Sequence, residues 1–268
     1  QRCQLPSLIL MAIQQVDFLR TYFKHNVITL VHIRTKEQTN QEENFSIQTG
    51  QDVVETLLLL HIMSKSLLKK ILIYLLGITL VGFGVNILIR SNLGAGAWDA
   101  VNDNFRSLTG ITLGTASFSI NLIILTMIML YRKRLTYLIT ILPIFGSALA
   151  MDIWDIILFG SWEPNTLFIR LLSFVIGLFV LPLGLSLIIV TKFPAMVFDE
   201  FTFIMMEIFN VKSFMKVRWG IEVFAMILAS IFGFLASIDF GSVNMGTLLI
   251  SLTIGPLIQL YLKTMKYA

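Results

Sequence analysis

The sequence is poor in the residues that most soluble enzymes rely on. It holds one cysteine, Cys3, so no intrachain disulfide can form. Its three histidines, His25, His32 and His61, all precede Met63. From Met63 onward there is neither His nor Cys, which argues against a zinc site of that kind and against His-based acid–base catalysis. No GxxxxGK[ST] phosphate loop, HExxH helix or GxSxG elbow occurs, so the pattern offers no enzyme and no cofactor. Charged residues make up only 13% of the chain, and the formal net charge of +4 is spread in short basic clusters between apolar runs. That spacing is a topology signal and not a nucleic-acid footprint.

What is abundant is apolar: 56% of residues, gathered in runs of about 20, the length needed to cross a bilayer as helix. The fold class expected is an all-α polytopic membrane protein whose first partner is the lipid bilayer. Six spans are predicted, near 67–89, 111–131, 137–159, 167–190, 217–236 and 244–262. Basic residues set their direction. Lys65, Lys69 and Lys70, then Arg132, Lys133 and Arg134, then Lys192, Lys212, Lys216 and Arg218, then Lys263 and Lys266 all fall on one side after six crossings. Both termini are therefore expected in the cytoplasm, at a plasma membrane. Residues 1–62 lack the pattern, and Met63 opens a short basic lead into the first span. An N-terminal extension over 1–62 is expected, followed by a membrane domain over 63–268.

Residues 81–99 lie over 181–199 without a gap: Gly84 on Gly184, Ile89 on Ile189, Ala95 on Ala195, Asp99 on Asp199. After each Asp, a short amphipathic face repeats. Trp98, Val101, Phe105 and Leu108 correspond to Phe198, Phe201, Met205 and Ile208. Phe145-Gly146-Ser147 likewise overlies Met245-Gly246-Thr247. The pattern predicts two three-span repeats, about 67–160 and 167–262. An odd number of spans per repeat inserts the second copy upside down, an architecture frequent in secondary transporters. Short re-entrant or interfacial helices are predicted at 97–108 and 197–209.

Leu93-Gly94-Ala95-Gly96-Ala97-Trp98-Asp99, with Thr109-Gly110-Ile111-Thr112-Leu113-Gly114-Thr115-Ala116-Ser117, resembles the YczE family of bacterial integral membrane proteins. Met245-Gly246-Thr247-Leu248-Leu249 and Ile254-Gly255-Pro256-Leu257-Ile258 fit the same resemblance, and YitT-type proteins share a similar look. The chain departs from the YczE pattern at Ala97, Pro194 and Val197, where that family usually has Pro, Gly and Pro. The resemblance implies a transporter-like plasma-membrane protein and supplies neither a substrate nor a catalytic residue.

Candidate substrate- or ion-binding residues are the ionisable and aromatic groups set in or beside spans: Asp99, Asp199, Trp98, Asp152, Asp155 and Glu222. Each has a plainer explanation. Asp99 and Asp199 sit where a helix N-terminus favours a carboxylate. Asp152 and Asp155 share a face near Trp154 and Trp162, at an expected interface. Glu222 lies one turn after Arg218, as a local ion pair would require. Trp98, Trp154, Trp162 and Trp219 read as an aromatic belt. Asn86 and Asn121 read as interhelical hydrogen-bond formers, and the glycines at 82, 84, 114, 146, 184 and 246 as close-packing positions. Transport of a small solute is the first functional expectation; a membrane protein that assists a partner is the second. A homodimer through the glycine-rich faces is compatible with the pattern.

Overall fold

A computed structural model describes the backbone of residues 45–193 and 197–267, and the side chains of residues 67–193, 197, 198 and 200–265. The chain divides into two compact units, residues 1–72 and 73–268. Of the first, the described backbone is the start of α1 (Phe45–Ser91), helical without a break at Met63. Residues 1–44 of the expected extension lie outside the described residues.

The described residues of the second unit form helices joined by turns and short loops, with no strand among them. After the end of α1 come α2 (Ala97–Thr109), α3 (Leu113–Arg132), α4 (Ile141–Asp152), α5 (Leu167–Thr191), α6 (Val197–Ile208), α7 (Phe214–Leu235) and α8 (Met245–Tyr267). A 3₁₀ turn over Leu135–Thr140 leads into α4, and a π turn over Ile153–Phe159 extends it to Gly160. Six segments are long and apolar enough to cross a membrane: Leu67–Ser91, Leu113–Arg132, Leu135–Phe159, Leu167–Thr191, Phe214–Leu235 and Met245–Met265. They match the predicted spans to within a few residues at each end. The short helices α2 and α6 also fall where the sequence puts them.

The order of elements repeats: long helix, short helix, two long segments, then the same again. Local chemistry repeats with it. At the end of α1 the Ser91 hydroxyl donates to Leu88 O (2.6 Å), and Asn92 adopts a left-handed conformation (φ 54°). At the end of α5 the Thr191 hydroxyl donates to Ile188 O (2.6 Å), and Lys192 does the same (φ 60°). A hydroxyl that satisfies an orphan carbonyl, followed by a left-handed residue, ends a helix sharply.

Contacts between α1 and α5 obey the same offset of one hundred. A Cβ on Gly84 would stand 2.9 Å from Leu181 Cα, and one on Gly184 would stand 2.9 Å from Val81 N. Gly77 faces Ile188 as Gly177 faces Leu88. Reciprocity of this sort, residue i on j and the mate of i on the mate of j, is what a two-fold relation imposes on an interface. Glycine is required here because the backbones approach too closely for any side chain. Gly82 is similarly pressed on Ala150, Gly114 on Ala148 and Gly246 on Leu93. Those faces are occupied within the chain. Gly146 is looser, its nearest neighbour being the tip of Ile78.

The two halves differ in how their last two spans meet. α3 packs directly on α4. Between α7 and α8, by contrast, an open apolar groove of about 500 Å³ remains, lined from both helices.

Candidate functional site

The short helix α2 positions the candidate site. Gly94 (φ 132°) turns the chain so tightly that a Cβ there would meet Thr247 N at 2.5 Å, and only glycine accepts that backbone. Ala95 N then donates to Ser242 O, and Gly246 N to Leu93 O. These bonds fix the turn against the start of α8. α2 begins after Gly96, and Asp99 in its first turn folds a carboxylate oxygen back over that glycine. The helix then packs along α7.

Trp98, on α2, is 8% exposed, which corrects the aromatic-belt reading for this residue. Its ring stacks on Phe198, the residue one hundred positions on, with centroids 4.7 Å apart. The sequence hides this because any Trp next to a span end looks interfacial; only the return of α6 to the same place buries it. Trp219 and Trp162 are exposed, as a belt residue would be, and Trp154 is half-exposed.

Beside Trp98, α2 brings Asp99 towards Glu222 of α7. Burial first, and then the neighbouring Glu222 charge, push the Asp99 carboxyl up to about 7. Glu222 is buried, paired with Arg218 at 3.2 Å as the spacing predicts, and accepts from the Ser251 hydroxyl of α8 at 3.4 Å. Two buried polar atoms next to this pair have no hydrogen-bond partner among the described residues. They are Trp98 Nε1 and Asn102 Oδ1, the latter on a side chain 3% exposed and one turn from Asp99. Asn102 and Ser251 do not stand out in the sequence; an Asn or Ser in an apolar helix carries no signal until its neighbours are known. Asn121 differs from expectation. Its amide bonds to Ser117 in its own helix and not across helices, and its Oδ1 is also unpartnered among the described residues. Asn86 does bond across helices, to Met151 O at 2.9 Å.

The structure does not bring Asp152 and Asp155 to this place. Asp152 accepts from Gly114 N (2.6 Å) and the Thr112 hydroxyl (2.7 Å), holding the start of α3. Asp155 is shared by two arginines, Arg90 of α1 (2.8 Å) and Arg106 of α2 (2.7 Å). Arg106 also reaches Asp103 (3.8 Å), which accepts from the Ser242 hydroxyl. At the far end of α3, Arg132 pairs with Glu200 (2.8 Å) and Glu207 (2.9 Å) of α6, and Tyr137 donates to Glu200. The side chain of Asp199 lies outside the described residues. Among the described residues, no group of His, Cys, Asp or Glu is arranged to hold a metal.

Known proteins resemble this chain in sequence. It is 25% identical over 193 residues to "Uncharacterized protein YyaS" of Bacillus subtilis, covering 72% of this chain and 92% of that one. It is 27% identical over 194 residues to an "Uncharacterized protein" of Haemophilus influenzae, covering 72% and 84%. No solved structure matches. Residues 68–263, the whole set of spans, match the model of a family described as a "Family of unknown function (DUF6198)", a description that carries no YczE name, and the chain belongs to that family.

Proposed function

We propose that this protein is a secondary transporter of a small solute. Its two inverted three-span halves would rock about a site next to the α1–α5 crossing, with Asp99 as a proton- or cation-binding group. The observation that carries this reading is the stack of Trp98 on its own repeat mate Phe198, set beside the Asp99–Glu222 pair. A residue can touch its own mate only on the axis relating two halves, and transporter sites lie on that axis near broken helices. A carboxyl poised near neutral pH can gain and lose a proton there at little cost. The likeness to YczE-type proteins agrees with transport but adds no substrate. The reading places the protein in a bacterial plasma membrane with both termini in the cytoplasm, and gives it no enzymatic step.

The test uses the full chain with Cys3→Ser as background and Asp99→Cys as probe. A membrane-impermeant thiol reagent is applied from each side of oriented vesicles. Reaction from both sides is the expected outcome, since alternating access must expose the site to each. Reaction from one side alone would remove transport and favour a membrane protein that assists a partner.

A further inference from the structure

Two charge clusters outside the Asp99–Glu222 pair stand at the far ends of the short helices. On α2, Asp99, Asp103 and Arg106 follow one another at i, i+4 and i+7, so they share one face. Arg106 lies two helical turns beyond Asp99 along that face, about 10 Å away by the rise of an α-helix. There it meets Asp155 (2.7 Å) and Asp103 (3.8 Å), and Asp103 accepts from the Ser242 hydroxyl. Arg90 completes the cluster from the end of α1. Its guanidinium donates to the Asp155 carboxylate (2.8 Å) and to the carbonyls of Gly160 (2.8 Å) and Trp162. One cluster thus ties the ends of α1 and α2 to the π turn after α4 and to the segment before α8.

α6 is tied down more lightly. Glu200 and Glu207 lie two turns apart on one of its faces, and Arg132 at the end of α3 bridges them. α1 and α3 are consecutive spans, so their ends, and with them the two clusters, fall at opposite faces of the membrane. The mate of Arg90 is Val190, which is exposed, so the second cluster has no counterpart of that buried arginine. Side-chain exposure is 13% and 12% for Arg90 and Asp155, against 25% and 48% for Arg132 and Glu207. Water and salt screen the second cluster more, and breaking it costs less.

We propose that the two clusters are the gates of the Asp99 site, with Arg90, Arg106 and Asp155 forming the outer and stronger one. The inference rests on the transport reading and adds how access to its site is controlled. A path that leaves Asp99 outwards along its own face of α2 runs into Arg106. Opening requires Arg106 to leave Asp155, which frees the tip of α2 from the π turn. The Arg90–Asp155 pair can stay closed meanwhile, so the gate opens without undoing the fold around it. The difference in burial sets the order: the site opens inwards more readily than outwards.

The test times the reaction of Asp99→Cys, in the full Cys3→Ser chain, with an impermeant maleimide. Intact cells give the outer rate and inverted vesicles the inner one. The probe alone should react at least tenfold more slowly from outside. Arg106→Gln should speed the outer reaction at least tenfold and slow the inner one, and Arg106→Lys should restore the slow outer rate. Glu207→Gln removes a half-exposed partner that the fold can spare, and should speed the inner reaction alone. Equal acceleration from both sides would report a loosened fold and overturn the gates. If the probe reacts from both sides and neither Arg106→Gln nor Glu207→Gln alters its rates, the gates fall and transport stands. If it reacts from one side only in every variant, transport falls and the gates with it.

Discussion

The two halves of this molecule share an element order and part company in what they do with it. In the first half, α3 packs on α4, and Asp152 and Asp155 tie the end of that pair to α1, α2 and the start of α3. In the second half, α7 and α8 stand apart around an open groove, and the bond between Glu222 and Ser251 joins them deep in the unit. One half is pinned by charge where the other is open to lipid. The two halves thus share a reciprocal α1–α5 crossing while their last two spans meet in different ways.

The crossing is where breakage should cost most. Gly84→Leu and Gly184→Leu should each abolish folded, membrane-inserted protein, measured as monodisperse material after detergent extraction, and the two losses should be equal. Each would drive a side chain into backbone that lies 2.9 Å from where its first carbon would stand. Unequal losses would break the reciprocity. Next comes the charge pin. Asp155→Asn leaves Arg90 and Arg106 without their shared carboxylate and should lower stability by about 3 kcal/mol. Glu207→Gln removes a more exposed partner of Arg132 and should cost less than about 1 kcal/mol. Thermal unfolding in detergent would rank the two.

The raised Asp99 carboxyl carries a pH dependence. Its folded value of about 7 exceeds the ordinary 3.8, so the folded state binds the extra proton between those limits. Stability should therefore fall as pH rises through that window, and Asp99→Asn should flatten the slope. An unchanged slope would assign the pH dependence elsewhere. The smallest effect belongs to the open faces. Gly220 and Gly255 have nothing within 4 Å of an added carbon, so Gly220→Ala and Gly255→Ala should stabilise α7 and α8 by up to about 1 kcal/mol.

The spans, the two short helices and the Arg218–Glu222 pair are legible in the sequence because they depend on runs and local spacing. Lys133, Asn92 and Lys192 mark helix ends by a conformation that sequence only hints at. The rest depends on distance along the chain. Asp155 meets Arg90 and Arg106 from 65 and 49 residues away, and no local pattern foretells which carboxylate an arginine will find. The burial of Trp98 is hidden for the same reason, since its partner Phe198 arrives with a different helix. The proximity of Asp99 to Glu222, 123 positions apart by their numbering, is likewise a product of α2 packing on α7. The repeat aligns Asp99 with Asp199, but it holds no hint of Glu222 as a neighbour.

Transport by rocking halves requires above all that the second half be the first turned over in the membrane. Asn92 and Lys192 are exposed, equivalent turn residues at the ends of α1 and α5. In the Cys3→Ser background, Asn92→Cys and Lys192→Cys can each be labelled with an impermeant maleimide in intact cells and in inverted vesicles. Position 92 should label only in cells and position 192 only in inverted vesicles. Labelling of both from the same side would contradict the inversion.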